Sequence, residues 1–175
     1  MQHDDNLTAK LPSFVTHLEC AFTGERHEAD QVHNLSRAGK PLLVRYDLEG
    51  IRKALSKDRL AARPADLWRY RELLPVRKPE DIVSLGEALT PIVRMPHLAA
   101  KLGGGEILVK DEGRLPTGSF KARGLVMAVS MAKALGIKHM AMPTNGNAGA
   151  ALAAYATSCG IKTTIFCPAD TPEVN

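Results

Sequence analysis

Two short stretches hold side chains suited to carbonyl and anion chemistry, 116-PTGSFKARG-124 and 142-MPTNGNAGAALAAYA-156. In the first, Lys121 follows a Gly-Ser turn and opens what reads as a helix, with Ser119 as its N-cap. Unpaired N–H groups and the positive end of the helix dipole disfavour an ammonium there. An amine that must attack a carbonyl works only once it has shed its proton. By position alone an ordinary surface lysine is the simpler reading, since first-turn lysines cost little. In the second stretch, 144-TNGNAG-149 turns from a strand into a helix, and Thr144, two Asn amides and several backbone N–H groups form a nest. Such a nest suits a carboxylate or phosphate, although a plain capped helix start fits the same residues. Placed at the carboxyl ends of neighbouring parallel strands, the two loops would share one crevice, where open α/β sheets take their ligands. There is no G-x-G-x-x-G, so a dinucleotide site lacks its signature.

The elements that must hold these loops alternate. From about residue 92 the pattern predicts a strand over Glu106 to Lys110, a helix over Ser119 to Leu135, a strand over His139 to Met142, a helix over Asn147 to Cys159 and a strand over Thr163 to Cys167. Leu125, Val129, Ala132 and Leu135 share one face of the first helix, and Gly136 and Gly160 stop the two helices. A β-α-β-α-β order implies parallel strands joined by right-handed crossovers. The second helix is rich in Ala and Gly and apolar nearly all round, which predicts burial on more than one side. Before residue 92 lie a strand over Leu42 to Tyr46, helices over Leu48 to Leu55 and Ala65 to Leu74, and a linker near 75–91. The segment 162-KTTIFCPADTPEVN-175 reads as a strand running into a loop. A series that halts there leaves sheet surface uncovered, so the chain is expected to be part of a longer protein or a truncated copy of one.

Composition narrows the function classes. The formal charge of +4 is mild and the basic residues are scattered, which gives no support to a nucleic-acid or membrane-surface role. No signal-peptide pattern and no run of roughly 18 apolar residues is present. Three cysteines without a C-x-x-C pair argue against a disulfide framework and for the reducing cytoplasm.

The string 106-EILVKDEGRLPTGSFKARG-124, with the T-N-G-N-A-G loop, resembles the fold-type-II pyridoxal-phosphate (PLP) enzymes, and among them the threonine synthases. The stretches 85-LGEALTP-91, 67-LWRYRELLP-75 and 40-KPLLVRYDLE-49 are similar to the same family. The resemblance runs from about Leu18 to the last residue and covers the first half or less of a complete enzyme. It implies an incomplete α/β, parallel-sheet, three-layer fold of the tryptophan synthase β type, carrying a small ribbon-like and helical N-terminal extension. Residues 1–78 would be that extension and 79–175 part of the PLP-binding catalytic region.

It also implies roles. Lys121 would form the Schiff base with PLP and move protons as the catalytic residue. Asn147 would hydrogen-bond the 3′-oxygen of the ring, and Phe120 would pack beside the cofactor. Thr144, Asn145, Gly146 and Ala148 would bind the substrate carboxylate. The reaction implied is a carbon–oxygen lyase conversion of O-phosphohomoserine and water to threonine and phosphate, with a homodimer left open. A threonine or serine dehydratase or ammonia-lyase shares these motifs, and a truncated, non-catalytic paralogue is a third reading. The family's glycine-rich phosphate loop and the Ser or Thr at the pyridine nitrogen lie downstream of these 175 residues.

Two departures stand out. Ala88 replaces a usual Gly in L-G-E-G-x-T-P, which questions that loop because Ala tolerates positive φ poorly. The front section resembles a zinc ribbon in which only Cys20 survives, with Thr23, Ser36 and Ala38 in place of the other thiols. One thiol with His27 and His33 falls short of a closed tetrahedral site, so no metal is expected.

Overall fold

The computed structural model describes residues 10–171. The end of the closing loop, expected to run through Asn175, lies outside them, as do the first nine residues. The described chain is α/β and divides into two compact units, residues 10–64, 68–83 and 127–138 in the first, residues 65–67, 84–126 and 139–171 in the second.

In the first unit, β1 (Val15–Cys20) lies between β2 (Arg26–His27) and β3 (Leu42–Tyr46), both antiparallel to it. The β3 bounds are those expected. Helix α1 (Leu48–Ala54) starts at Asp47, whose carboxylate accepts the Gly50 N–H at 2.8 Å. Helix α2 (Lys57–Ala61) starts the same way, with Ser56 Oγ accepting from Arg59 N at 3.2 Å. The helix expected over Ala65 to Leu74 is instead a 3₁₀ segment, Leu67–Leu73, broken at Tyr70. Asp66 is taken up in a β-bridge with Ala88, which removes the first helical turn.

The ribbon remnant is held by hydrogen bonds. Cys20 is buried, its thiol donates to Ser36 Oγ at 3.0 Å, and the Thr23 N–H donates to its sulfur at 3.4 Å. Ser36, then Thr23, stabilise the thiolate and lower the Cys20 pKa from 9.0 to about 7. Two positions where the resemblance puts lost cysteines thus still contact the remaining one. Among the described residues no group of three or more His, Cys, Asp or Glu is arranged to hold a metal ion.

In the second unit, β4 (Ile92–Arg94) is followed by α3 (Pro96–Lys101) and β5 (Leu108–Lys110). The strand expected over Glu106 to Lys110 is shorter and pairs antiparallel with β4, so it does not join a parallel sheet. Gly103, Gly104 and Gly105 all take positive φ, between 90° and 103°, and turn the chain back so that β5 can pair with β4. Helix α4 (Lys121–Ala134), whose residues from Met127 on belong to the first unit, leads to β6 (His139–Pro143), and α5 (Asn147–Ser158) leads to β7 (Lys162–Phe166). Strands β6 and β7 are parallel, as the β-α-β pattern requires. Gly136 and Gly160 stop α4 and α5 at φ 71° and 74°. Helix α5 buries Gly149, Ala151, Leu152, Tyr155 and Ala156. Its Ala150 and Ala153 line an open groove of about 450 Å³ with Ile165 and Cys167, so burial on more than one side is not reached. No helix among the described residues is long and apolar enough to cross a membrane.

Candidate active site

The turn that delivers Lys121 is built from two short 3₁₀ segments, Glu112–Arg114 and Pro116–Gly118. Asp111 begins the first, accepting from Gly113 N at 3.2 Å. Leu115 anchors the turn, being 4% exposed. Thr117 and Gly118 then both adopt left-handed conformations, φ 63° and 69°. For a β-branched residue that is a true outlier, costing on the order of 1–3 kcal/mol. Ser119 does not cap α4 as expected. Its backbone is extended and its carbonyl accepts from Ala122 N at 3.3 Å, but its buried Oγ has no hydrogen-bond partner.

Lys121 is the first residue of α4 and half-buried. Its amine makes no ion pair with the described residues and lies 4.3 Å from the centroid of the Phe120 ring. That ring is itself 58% exposed.

The T-N-G-N-A-G loop follows β6. Gly146 takes φ 138° and ψ −95°, a conformation open to glycine alone, and leaves α5 without a side-chain cap from its own position. Thr144 supplies the cap from outside: its Oγ1 accepts from Gly146 N at 3.1 Å and from Gly149 N at 3.2 Å. The Thr144 hydroxyl is therefore engaged within the loop. The N–H groups of Asn145, Asn147 and Ala148 find no acceptor among the described residues, and both Asn side chains are exposed. Lys121 and the run from Pro143 to Ala148 line one cavity of about 360 Å³. Of the cofactor and substrate residues implied by the resemblance, all but Phe120 border it, and the Phe120 ring lies beside the Lys121 amine instead.

Two residues past Lys121, Arg123 belongs to a charged group that sequence reasoning did not single out. Arg123 donates to Glu112 through Nε at 2.6 Å and Nη2 at 2.9 Å, and Thr90 Oγ1 donates to the same carboxylate. Arg123, then Thr90, hold the Glu112 pKa at about 2, well below its ordinary 4.5. Glu87 was missed as well. Its carboxylate is buried and accepts from Ser84 Oγ and Leu85 N, each at 2.8 Å, locking the L-G-E-A loop. Tyr155 is fully buried beside it without hydrogen-bonding geometry; burial, then the Glu87 charge, raise its pKa far above the usual range. The positive φ in this loop falls on Gly86, at 89°, so the Ala88 departure is accommodated without strain.

The donor set suits one class of ligand: an unpaired amine for an aldehyde, beside free N–H groups and amides for anionic oxygens. Such a cleft, on an α/β frame with a parallel β6-β7 pair, has the chemistry to receive a carbonyl compound that carries anionic groups. A family model described as "Pyridoxal-phosphate dependent enzyme" matches residues 83–175, and the chain belongs to that family. It is similar to the threonine synthase of Methanocaldococcus jannaschii, 38% identical over 149 residues, covering 85% of this chain and 37% of the relative. The threonine synthase of Methanosarcina acetivorans is 36% identical over 154 residues, covering 87% and 37%. That of Synechocystis sp. is 41% identical over 107 residues, covering 58% and 28%. The chain thus spans little more than a third of the length of the first two of these curated relatives and less than a third of the last.

Proposed function

We propose that this chain is the amino-terminal part of a threonine-synthase-like PLP lyase, with Lys121 as the residue that carries the cofactor. The observation that supports this reading most is the shared cavity: an unpaired lysine amine and the T-N-G-N-A-G loop face the same space. In this reading residues 79–175 contribute to the catalytic region and 1–78 form an extension. The Lys121 amine binds the cofactor aldehyde and afterwards holds and returns a proton. Asn147 donates from its amide to the oxygen at the 3′ position of the ring, and the exposed Phe120 ring covers the cofactor edge. The free N–H groups of Asn145 and Ala148, in a loop shaped by Thr144 and Gly146, hold the substrate carboxylate. When bound, PLP supplies an electron sink for carbanion chemistry. The overall change is O-phosphohomoserine plus water to threonine plus phosphate, in a soluble cytoplasmic setting.

Treating the chain with PLP and then borohydride should place a pyridoxyl tag on Lys121, located by peptide mapping, and Lys121→Ala should abolish it. A wild type whose predominant tag lies on another lysine ends the assignment. In a version extended to the relatives' full length, released phosphate from O-phosphohomoserine supports the synthase. A 2-oxo acid formed from threonine would mark a dehydratase instead.

A further inference from the structure

We propose that Glu112 and Arg123 are a positioning pair that fixes the Lys121 amine in the cavity, an inference that rests on Lys121 being the working lysine. Arg123 sits two residues beyond Lys121, in the same first turn of α4. Side chains at i and i+2 leave a helix in nearly opposite directions. Arg123 therefore does not line the cavity, and it moves whenever the turn that bears Lys121 moves. Its guanidinium is held by both Glu112 oxygens, at 2.6 and 2.9 Å, and by the Ala88 carbonyl at 3.4 Å. Glu112 is held in turn. Thr90 donates to Oε1, Lys110 lies 3.8 Å away, and the Lys110 amine donates to the Thr90 carbonyl at 3.3 Å. One carboxylate thus ties the β5 end, the 85–91 segment and the helix start together.

The need for such a tie is local. The first turn of α4 has no side-chain cap, since Ser119 Oγ is unbonded, and it follows two left-handed residues. A bidentate guanidinium–carboxylate pair fixes orientation as well as distance, which a single point charge would not do.

The Phe120 ring under the amine provides a ruler independent of any cofactor. Lysines of the full chain are reductively methylated with ¹³C-formaldehyde, and the Lys121 dimethylamine signal is assigned with Lys121→Arg. Wild type should show that signal displaced upfield by the ring. Arg123→Ala and Glu112→Gln should lose most of the displacement while circular dichroism shows an intact fold, and Arg123→Lys should restore it only in part. In parallel, the pyridoxyl tag at Lys121 relative to that at Lys53 should fall about ten- to a hundredfold, as for a reacting group misplaced by about an ångström. Folded variants that keep the wild-type displacement overturn the proposal. If Arg123→Ala does not fold, Glu112→Gln, which keeps shape and removes charge, decides it. If wild type takes no tag, the reading of Lys121 falls, and the methyl signal still shows whether the pair sets the amine's place.

Discussion

Glu112 is the residue whose ionisation should be felt most widely in the second unit. Its side chain is 24% exposed, and its carboxylate is engaged by Arg123, Thr90 and Lys110. Because its folded pKa is depressed, it contributes stability in full above the unfolded value near 4.5, and that contribution is lost as pH falls toward about 2. Charge-assisted hydrogen bonds of this kind contribute about 1.5–3 kcal/mol. Urea unfolding at a series of pH values should therefore show wild type losing on the order of 2 kcal/mol more than Glu112→Gln between pH 4.5 and pH 2. Parallel pH profiles for the two proteins would contradict the assignment.

Among the elements, α5 meets β7 with no space to spare at Gly149. A Cβ built on Gly149 would lie 2.5 Å from Thr144 Cγ2 and 2.8 Å from Ile165 Cγ2, closer than real Cβ atoms come. Both neighbours are β-branched and stiff, so the contact cannot be relieved by a rotamer change alone. Gly149→Ala should cost about 1–3 kcal/mol through overpacking, read by thermal unfolding, and should disturb the Thr144 cap and with it the loop beside Lys121. An unchanged melting temperature would mean that helix and strand part more easily than the distances imply. The helices α4 and α5 and the strands β6 and β7 were legible because periodicity and terminal glycines are local signals. The P-T-G-S-F-K and T-N-G-N-A-G loops were legible because their residue types are unusual for plain turns. What failed was long-range. The antiparallel partner of β5 depends on three glycines reversing the chain, and the 3₁₀ form of Leu67–Leu73 depends on Asp66 bridging to Ala88 across the sequence. Eleven positions separate Glu112 from Arg123, so no local pattern announces their pairing. Helix α2 is too short, at five residues, to show a periodic pattern, and its one local signal is the Ser56 cap.

At the scale of the whole molecule the chain is two units, each needing its own closure, and the first closes around an ion pair. Arg63 donates to Glu72 at 2.6 and 2.8 Å, with side chains 14% and 4% exposed. Arg63 also donates to the Arg69 carbonyl at 2.5 Å, which ties residues before the 3₁₀ segment to residues within it. The Arg63 guanidinium lowers the Glu72 pKa, so this pair too stabilises above the ordinary carboxylate range and weakens as acid protonates Glu72. Removing one partner of a buried pair strands the other charge, at a cost of about 3–5 kcal/mol, whereas replacing both with apolar residues is often neutral. Trp68 is the single tryptophan of the chain and lies in this unit, so its fluorescence reports the unit's unfolding. Arg63→Ala should lower the unfolding free energy followed at Trp68 by about 3 kcal/mol, and Arg63→Met with Glu72→Leu should recover most of that. If the double variant is as unstable as the single one, the pair contributes through geometry that apolar side chains cannot replace. A single variant within about 0.5 kcal/mol of wild type would instead place the pair with surface ion pairs, against its burial.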